Sequence, residues 1–215
     1  MLALIPAGGK GSRLGMGEKP LVTICGTPMI QYVVDAFVCA GHEPVVIVSP
    51  HSPFTANWCR AHQVGLYTAQ GVGYIEDLVE AGCALEAKGP LFTCVADLPL
   101  ITPGTIGDIN REYQKRGTPA VSVWVPALDY RFAGPHREYS VAVSGSAAYP
   151  VGLNILRGEQ IVTPQEESRI LTSDVRLACN VNTRGDLERV ERVLCPTGKT
   201  TNKDNLKGNR PEKPY

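Results

Sequence analysis

The sequence predicts an α/β domain with a mostly parallel central sheet flanked by helices. Three observations carry that prediction. Apolar runs of strand length alternate with segments of helical period over the first half of the chain. The first run, Leu2 to Pro6, empties straight into a glycine-rich loop, a strand ending typical of open parallel sheets. At 215 residues the chain is long enough to bury one sizeable core, and no repeat or second domain interrupts it.

Ala3 to Pro6 reads as a buried strand, and Pro28 to Ala40 as a helix. The apolar residues of that helix, at 29, 30, 33, 34, 37 and 38, follow the 3.6 period, with Gly41 as the stop. Pro44 to Ser49 is a central strand, Pro53 to His62 a helix, and Leu66 to Ala69 a short strand. A second glycine loop, Gln70 to Tyr74, opens the next helix, and Leu91 to Ala96 is a strand that ends in Asp97. Pro103 to Arg116 is a helix and Ala120 to Val125 a strand. The punctuation between Pro126 and Pro150 predicts an inserted loop or hairpin, of the kind that carries a second substrate. Val151 to Leu156 resumes strand character, Arg176 to Val181 is expected as the last strand, and Thr183 to Leu194 as an amphipathic closing helix. The domain spans 1–195. Residues 196–215 are a polar, net basic stretch that cannot offset its ordering entropy and are expected to be a disordered tail.

Lys+Arg and Asp+Glu both number 21, giving zero formal charge and no field that would gather nucleic acid or an anionic membrane. The seven cysteines include no CxxC pair and have no zinc-finger histidine partner, so they read as buried thiols of a reducing compartment. The four histidines share no ligand spacing and read as surface residues. With no signal-peptide pattern and no membrane-length apolar run, a cytoplasmic location is expected. The apolar side of the last helix is compatible with a homodimer.

The chemistry concentrates in Ala7-Gly8-Gly9-Lys10-Gly11-Ser12-Arg13-Leu14-Gly15, followed by Glu18-Lys19-Pro20. Glycines let backbone N–H groups close on an anion, and Lys10, Arg13 and Lys19 supply the charge that a triphosphate needs. A simple strand-to-helix turn needs one glycine and no such set of cations. The dinucleotide fingerprint fails at Leu14, and the preceding position of the only Gly-Lys-Thr, at 198–200, breaks the P-loop pattern with Val193. Asp97, where its strand runs out, is the candidate ligand for Mg²⁺, against a plain turn role before Pro99. Gly71 and Gly73 would let a flat base lie against backbone. Glu76 and Asp77 could touch a base or ribose, but complementing the helix dipole is the expected role of Asp77. Asn180 and Asn182 are polar residues in apolar surroundings, and capping is at least as good a reading for Asn182.

The opening motif, Glu18-Lys19-Pro20-Leu21, Gly73-Tyr74-Ile75-Glu76-Asp77-Leu78, Tyr149 to Asn154 and Cys179 to Thr183 together resemble the archaeal GTP:adenosylcobinamide-phosphate guanylyltransferases. The likeness runs from residue 2 to about 194, and Pro6 departs from it where an apolar side chain is usual. It implies a Rossmann-like nucleotidyltransferase fold that moves GMP from GTP to adenosylcobinamide phosphate in cobalamin biosynthesis, releasing pyrophosphate, with Mg²⁺ as cofactor. It implies nucleotide binding by Ala7, Gly8, Gly9, Lys10, Gly11, Ser12, Arg13 and Lys19, with Gly71, Gly73 and Tyr74 near the guanine. By the same resemblance Arg13, Lys19 and Asp97 are catalytic, Asp97 holds the metal, and Gly152 and Asn154 face the acceptor or ribose. Molybdenum-cofactor guanylyltransferase is the nearest alternative, a sugar-phosphate or cytidylyl transferase a weaker one. A GTP-binding regulatory module is the non-enzyme alternative.

Overall fold

The computed structural model describes residues 1–9, 15–128 and 140–196. Strand β1 (Leu2–Pro6) lies inside the sheet because its centre is apolar on both faces, with Ala3, Leu4 and Ile5 fully buried. A 3-10 turn (Lys19–Leu21) and the small β2–β3 hairpin (Thr23–Ile24, Thr27–Pro28) follow, then α1 (Met29–Cys39), β4 (Glu43–Val48), α2 (Pro53–Ala61) and β5 (Gly65–Thr68). Next come α3 (Tyr74–Ala84), β6 (Pro90–Cys94), α4 (Pro103–Arg116) and β7 (Ala120–Pro126). The last elements are β8 (Val141–Val143), β9 (Ser146–Arg157), β10 (Glu167–Leu171) and α5 (Arg184–Leu194).

Among the described residues the main sheet runs in the order β10-β7-β9-β6-β1-β4-β5, with β8 paired to β9. β1 pairs in parallel with β4 on one side and β6 on the other, while β9 runs antiparallel to β6 and β7. The chain therefore reverses its direction of growth beside β1, and loops after β1, β4 and β6 open into one crevice at the carboxyl ends of their strands. Ala3, Ile5, Val46, Val48 and Phe92 pack with α1, α2 and α4 on one face, whereas Leu4, Ile47 and Leu91 pack with Leu78 and Ala81 of α3 on the other. The periodicity assigned to α1 holds, except that Val38 faces outward.

Three expectations need correction. Arg176 to Val181 is not a strand. The backbone N–H of Arg176 is capped by Asp174 Oδ1, so the segment coils into a 3-10 turn at Val175–Ala178, and β10 is the last strand among the described residues. The expected strand at Val151 to Leu156 is the inner half of the longer β9, whose outer half forms the β8–β9 hairpin. Nor are the cysteines uniformly buried thiols. Cys39 and Cys83 are exposed, and Cys25 is disulfide-bonded to Cys195. Sequence spacing hides that pair because the two cysteines are 170 residues apart. They meet because Ile24 and Met29 beside the hairpin share an apolar cluster with Leu187 and Val190 of α5. The apolar side of α5 is thus used within the chain, and no helix among the described residues is long and apolar enough to cross a membrane. The expected tail lies almost wholly outside the described residues.

Thiol titration of the denatured, unreduced protein should find five free cysteines of the seven, and all seven after reduction. Closing so long a loop stabilises mainly by restricting the unfolded chain, so Cys195→Ser should lower Tm by about 5–15 °C. Seven free thiols before reduction would rule the pairing out.

Candidate active site

The loops at the carboxyl ends of β1, β4 and β6 enclose a cavity of about 340 Å³. Its floor is Pro6 to Gly9, and its walls include Lys19, Ile47, His51, Gly71, Gly73, Tyr74, Asp77 and Val95 to Asp97. Gly8 is small for a steric reason. A Cβ there would stand 2.9 Å from Ser49 Cβ, and Ser49 Oγ donates to the Gly8 carbonyl at 2.6 Å. That bond fixes the start of the glycine loop to the end of β4, and His51 N–H in turn donates to Ser49 Oγ at 3.1 Å. Gly9 has open space around it, so its backbone faces the cavity unobstructed.

The charged part of the site gathers four side chains from three distant segments. The Lys19 ammonium donates to Asp97 Oδ2 and, at 2.9 Å, to Asn182 Oδ1. Asn180 Nδ2 donates to Asp97 Oδ1 at 2.9 Å, and Val181 N–H to the Asp97 carbonyl at 3.0 Å. A lysine carries three ammonium hydrogens. Two are engaged by the described residues, which leaves a third for a further acceptor. The asparagines are held by the next element: Asp186 Oδ2 accepts from Asn182 N, Thr183 N and Thr183 Oγ1 at 2.7–3.0 Å. This is the capping box of α5, so the helix cap also sets the loop that meets Lys19 and Asp97.

The opposite wall is the second glycine loop. Asp77 Oδ1 accepts from Gly71 N at 3.0 Å and Val72 N at 3.1 Å, and the residue is buried. Two charge-assisted bonds to the loop, in addition to any helix-dipole benefit, make Asp77 its organiser. Tyr74 lines the cavity and is half exposed. Burial, reinforced by Cys94 and the Asp97 carboxylate, pushes its phenol up to about 12, so it remains a hydrogen-bond donor throughout the working pH range.

Of the residues read from sequence, Ala7, Gly8, Gly9, Lys19, Gly71, Gly73, Tyr74 and Asp97 all line this one cavity. Lys10, Gly11, Ser12 and Arg13 lie outside the described residues. Gly152 backs the cavity wall: its φ of +80° favours glycine, and a Cβ would meet Val95 Cγ1 at 2.7 Å. Asn154 lies farther along β9, donating to Thr93 Oγ1 at 3.1 Å within the sheet. The site also recruits residues that the sequence reading valued too little. Asn182 is not the cap of α5, which is Thr183, and it binds Lys19 instead. Asp77 does more than complement a dipole, and His51, exposed as expected of the histidines, also lines the cavity. The Asn-x-Asn-Thr spacing ahead of a helix was the available signal for Asn180 and Asn182.

A glycine loop on β1, a lysine and an acid meeting at one sheet edge, and a second glycine loop across the same cavity are the features of a nucleotidyltransferase. Residues 3–147 match the family described as MobA-like NTP transferase domain. The chain belongs to that family. It is 31% identical over 209 residues to the adenosylcobinamide-phosphate guanylyltransferase of Methanocaldococcus jannaschii, a match covering 92% of this chain and 100% of that protein. Two solved structures share the fold. CMP:2-keto-3-deoxy-manno-octonic acid synthetase complexed with CTP aligns at TM-score 0.70 and 17% identity, over 91% of this chain and 98% of that one. Molybdopterin-guanine dinucleotide biosynthesis protein A from Archaeoglobus fulgidus aligns at TM-score 0.63 and 18% identity, over 90% and 98%.

Asp77→Asn keeps an acceptor oxygen for Gly71 and Val72, whereas Asp77→Ala keeps none. Calorimetric GTP titration should show about a ten-fold or greater loss for the alanine variant and a much smaller one for asparagine. Equal losses of a few-fold would return Asp77 to a dipole role. For Tyr74, the difference in phenolate absorbance between wild type and Tyr74→Phe should titrate near pH 12. An unfolded tyrosine ionises near 10, so the native preference for the neutral phenol is complete below about pH 10 and is lost as pH rises towards 12. Wild type should therefore lose more stability than Tyr74→Phe across that window, measured by denaturant unfolding.

Proposed function

We propose that this protein transfers GMP from GTP to adenosylcobinamide phosphate, giving adenosylcobinamide-GDP and pyrophosphate. The observation that carries the substrate assignment is the match, over 92% of this chain and 100% of the relative, to a guanylyltransferase of that name. The site supports the chemistry. An acceptor phosphate oxygen, already ionised at neutral pH, attacks the α-phosphorus, the bond to the pyrophosphate oxygen breaks, and no protein base or nucleophile is required.

What the chain must supply is position and charge. Backbone N–H groups from Gly8 onward, with Lys10 and Arg13, hold the triphosphate, and the third ammonium hydrogen of Lys19 meets charge as it gathers on the leaving group. Gly71, Gly73 and Tyr74 receive the guanine. Gly152 and Asn154 belong to the acceptor side in this reading, and residues 1–195 act as the one catalytic domain.

Mg²⁺ suits the donor set. Each Asp97 carboxylate oxygen has one protein donor and keeps lone pairs for a cation. No group of three His, Cys, Asp or Glu side chains forms a closed cage among the described residues. One carboxylate plus phosphates and water is the arrangement magnesium accepts. When bound there it supplies Lewis-acid charge at the phosphates, and Asp97 with Asn180 fixes its place.

Pyrophosphate release should require GTP and adenosylcobinamide phosphate, with little release when ATP replaces GTP or molybdopterin replaces the corrinoid. Release with molybdopterin, or with neither acceptor, would overturn the substrate assignment. Lys19→Ala should lower kcat by about 100-fold with a much smaller change in GTP affinity. Lost affinity with unchanged turnover would remove Lys19 from the chemistry.

A further inference from the structure

Helix α2 begins without a cap of its own. Pro53 at the first helical position has no N–H to satisfy, and Ser52 places no side-chain bond on the helix. Its hydroxyl is turned to Ser49 instead, accepting from Ser49 N at 3.0 Å. The next two donors, Phe54 and Thr55, would otherwise be orphaned. Both are taken by a carboxylate from another part of the chain. Glu18 Oε1 accepts from Phe54 N at 2.8 Å, and Glu18 Oε2 accepts from Thr55 N and Thr55 Oγ1, each at 2.6 Å. Thr55 is fully buried, and a negative charge at a helix N-terminus is further favoured by the macrodipole.

Glu18 directly precedes Lys19. The two are joined by a tight turn in which Leu21 N donates to the Glu18 carbonyl at 3.0 Å and Val22 N to the Lys19 carbonyl at 3.2 Å, with Pro20 fixing the backbone between them. Glu18 and Lys19 are adjacent and share that turn, so a shift of the anchored Glu18 also shifts the backbone from which the Lys19 side chain extends. We propose that Glu18 is a positioning residue: by capping α2 from a distant segment, it sets the lysine turn at the height where the Lys19 ammonium reaches Asp97 and the phosphates. This rests on the role of Lys19 given above. Glu18 touches neither nucleotide nor acceptor in this account and acts only through its neighbour.

The test is a kinetic double-mutant cycle on the full chain with Glu18→Ala, Lys19→Ala and both together, alongside melting temperature and GTP titration. Glu18→Ala should lower kcat by about ten-fold or more while KM for GTP moves by about three-fold or less, and in the Lys19→Ala background it should lower kcat no further. Thr55→Val keeps the side-chain shape and removes one of the three bonds. It should give a smaller kcat loss, about five-fold, that also vanishes when Lys19 is absent, and it serves if Glu18→Ala fails to fold. Losses that multiply in the double variant, or a lowered Tm with unchanged kcat in both Glu18→Ala and Thr55→Val, would overturn the positioning role while leaving Lys19 in place. Full turnover by Lys19→Ala would overturn the lysine's role, and the positioning role with it.

Discussion

The contact between Lys19 and Asp97 is the constraint on which the rest of the site depends. It joins the turn after the phosphate loop to the end of β6, and through Asn182 and Asn180 it draws in the approach to α5. Both partners are about four-fifths buried. A pair so withdrawn from water gains little net stability, because desolvation offsets much of the attraction. Its value lies in geometry: the cation and the carboxylate are already fixed at the sheet edge before substrate arrives, so less ordering has to accompany the reaction.

Around that pair, three carboxylates perform one kind of task in three places. Glu18 caps α2, Asp77 gathers the amides of Gly71 and Val72, and Asp186 gathers those of Asn182 and Thr183. Each uses charge-assisted bonds to backbone N–H groups, about twice as strong as neutral ones: Glu18 ties the first turn of α2, and Asp77 and Asp186 tie loops that carry glycines or asparagines. Each of the three ties holds a segment that presents a residue to the cavity or to the Lys19–Asp97 pair. Three acidic residues are thus the internal ties of a site whose proposed ligand is itself an anion.

The parts legible in the sequence were those set by local pattern. The 3.6 period of α1 apart from Val38, the apolar β1 and β4, the glycines at 8 and 9, and an acid just past β6 all depend on residues within a few positions of one another; β6 itself stops at Cys94, so Asp97 stands in the turn that follows and not at the strand's last position. What escaped depends on closure over long distances. Cys25 and Cys195 are separated by 170 residues, Lys19 and Asn182 by 163, and Glu18 and Thr55 by 37. No period or propensity encodes such meetings. Arg176 to Val181 misled for a related reason: its apolar residues are core residues, but Asp174 captures a backbone N–H that a strand would have used.

The way phosphate charge is met follows from where the helices begin. In a dinucleotide fold the first strand leads into a helix whose N-terminus faces the phosphates. Here α1 starts only at Met29, beyond the lysine turn and the β2–β3 hairpin, and the N-terminus of α2 is occupied by Glu18. With neither of those two helix starts presented to the phosphate loop, the proposed reaction leaves charge at the triphosphate to side chains such as Lys19 and to loop amides. In the proposed reaction a prepositioned ammonium meets negative charge where it gathers, on the departing pyrophosphate. That suits a transfer in which the leaving group, and not the nucleophile, is what the protein must stabilise.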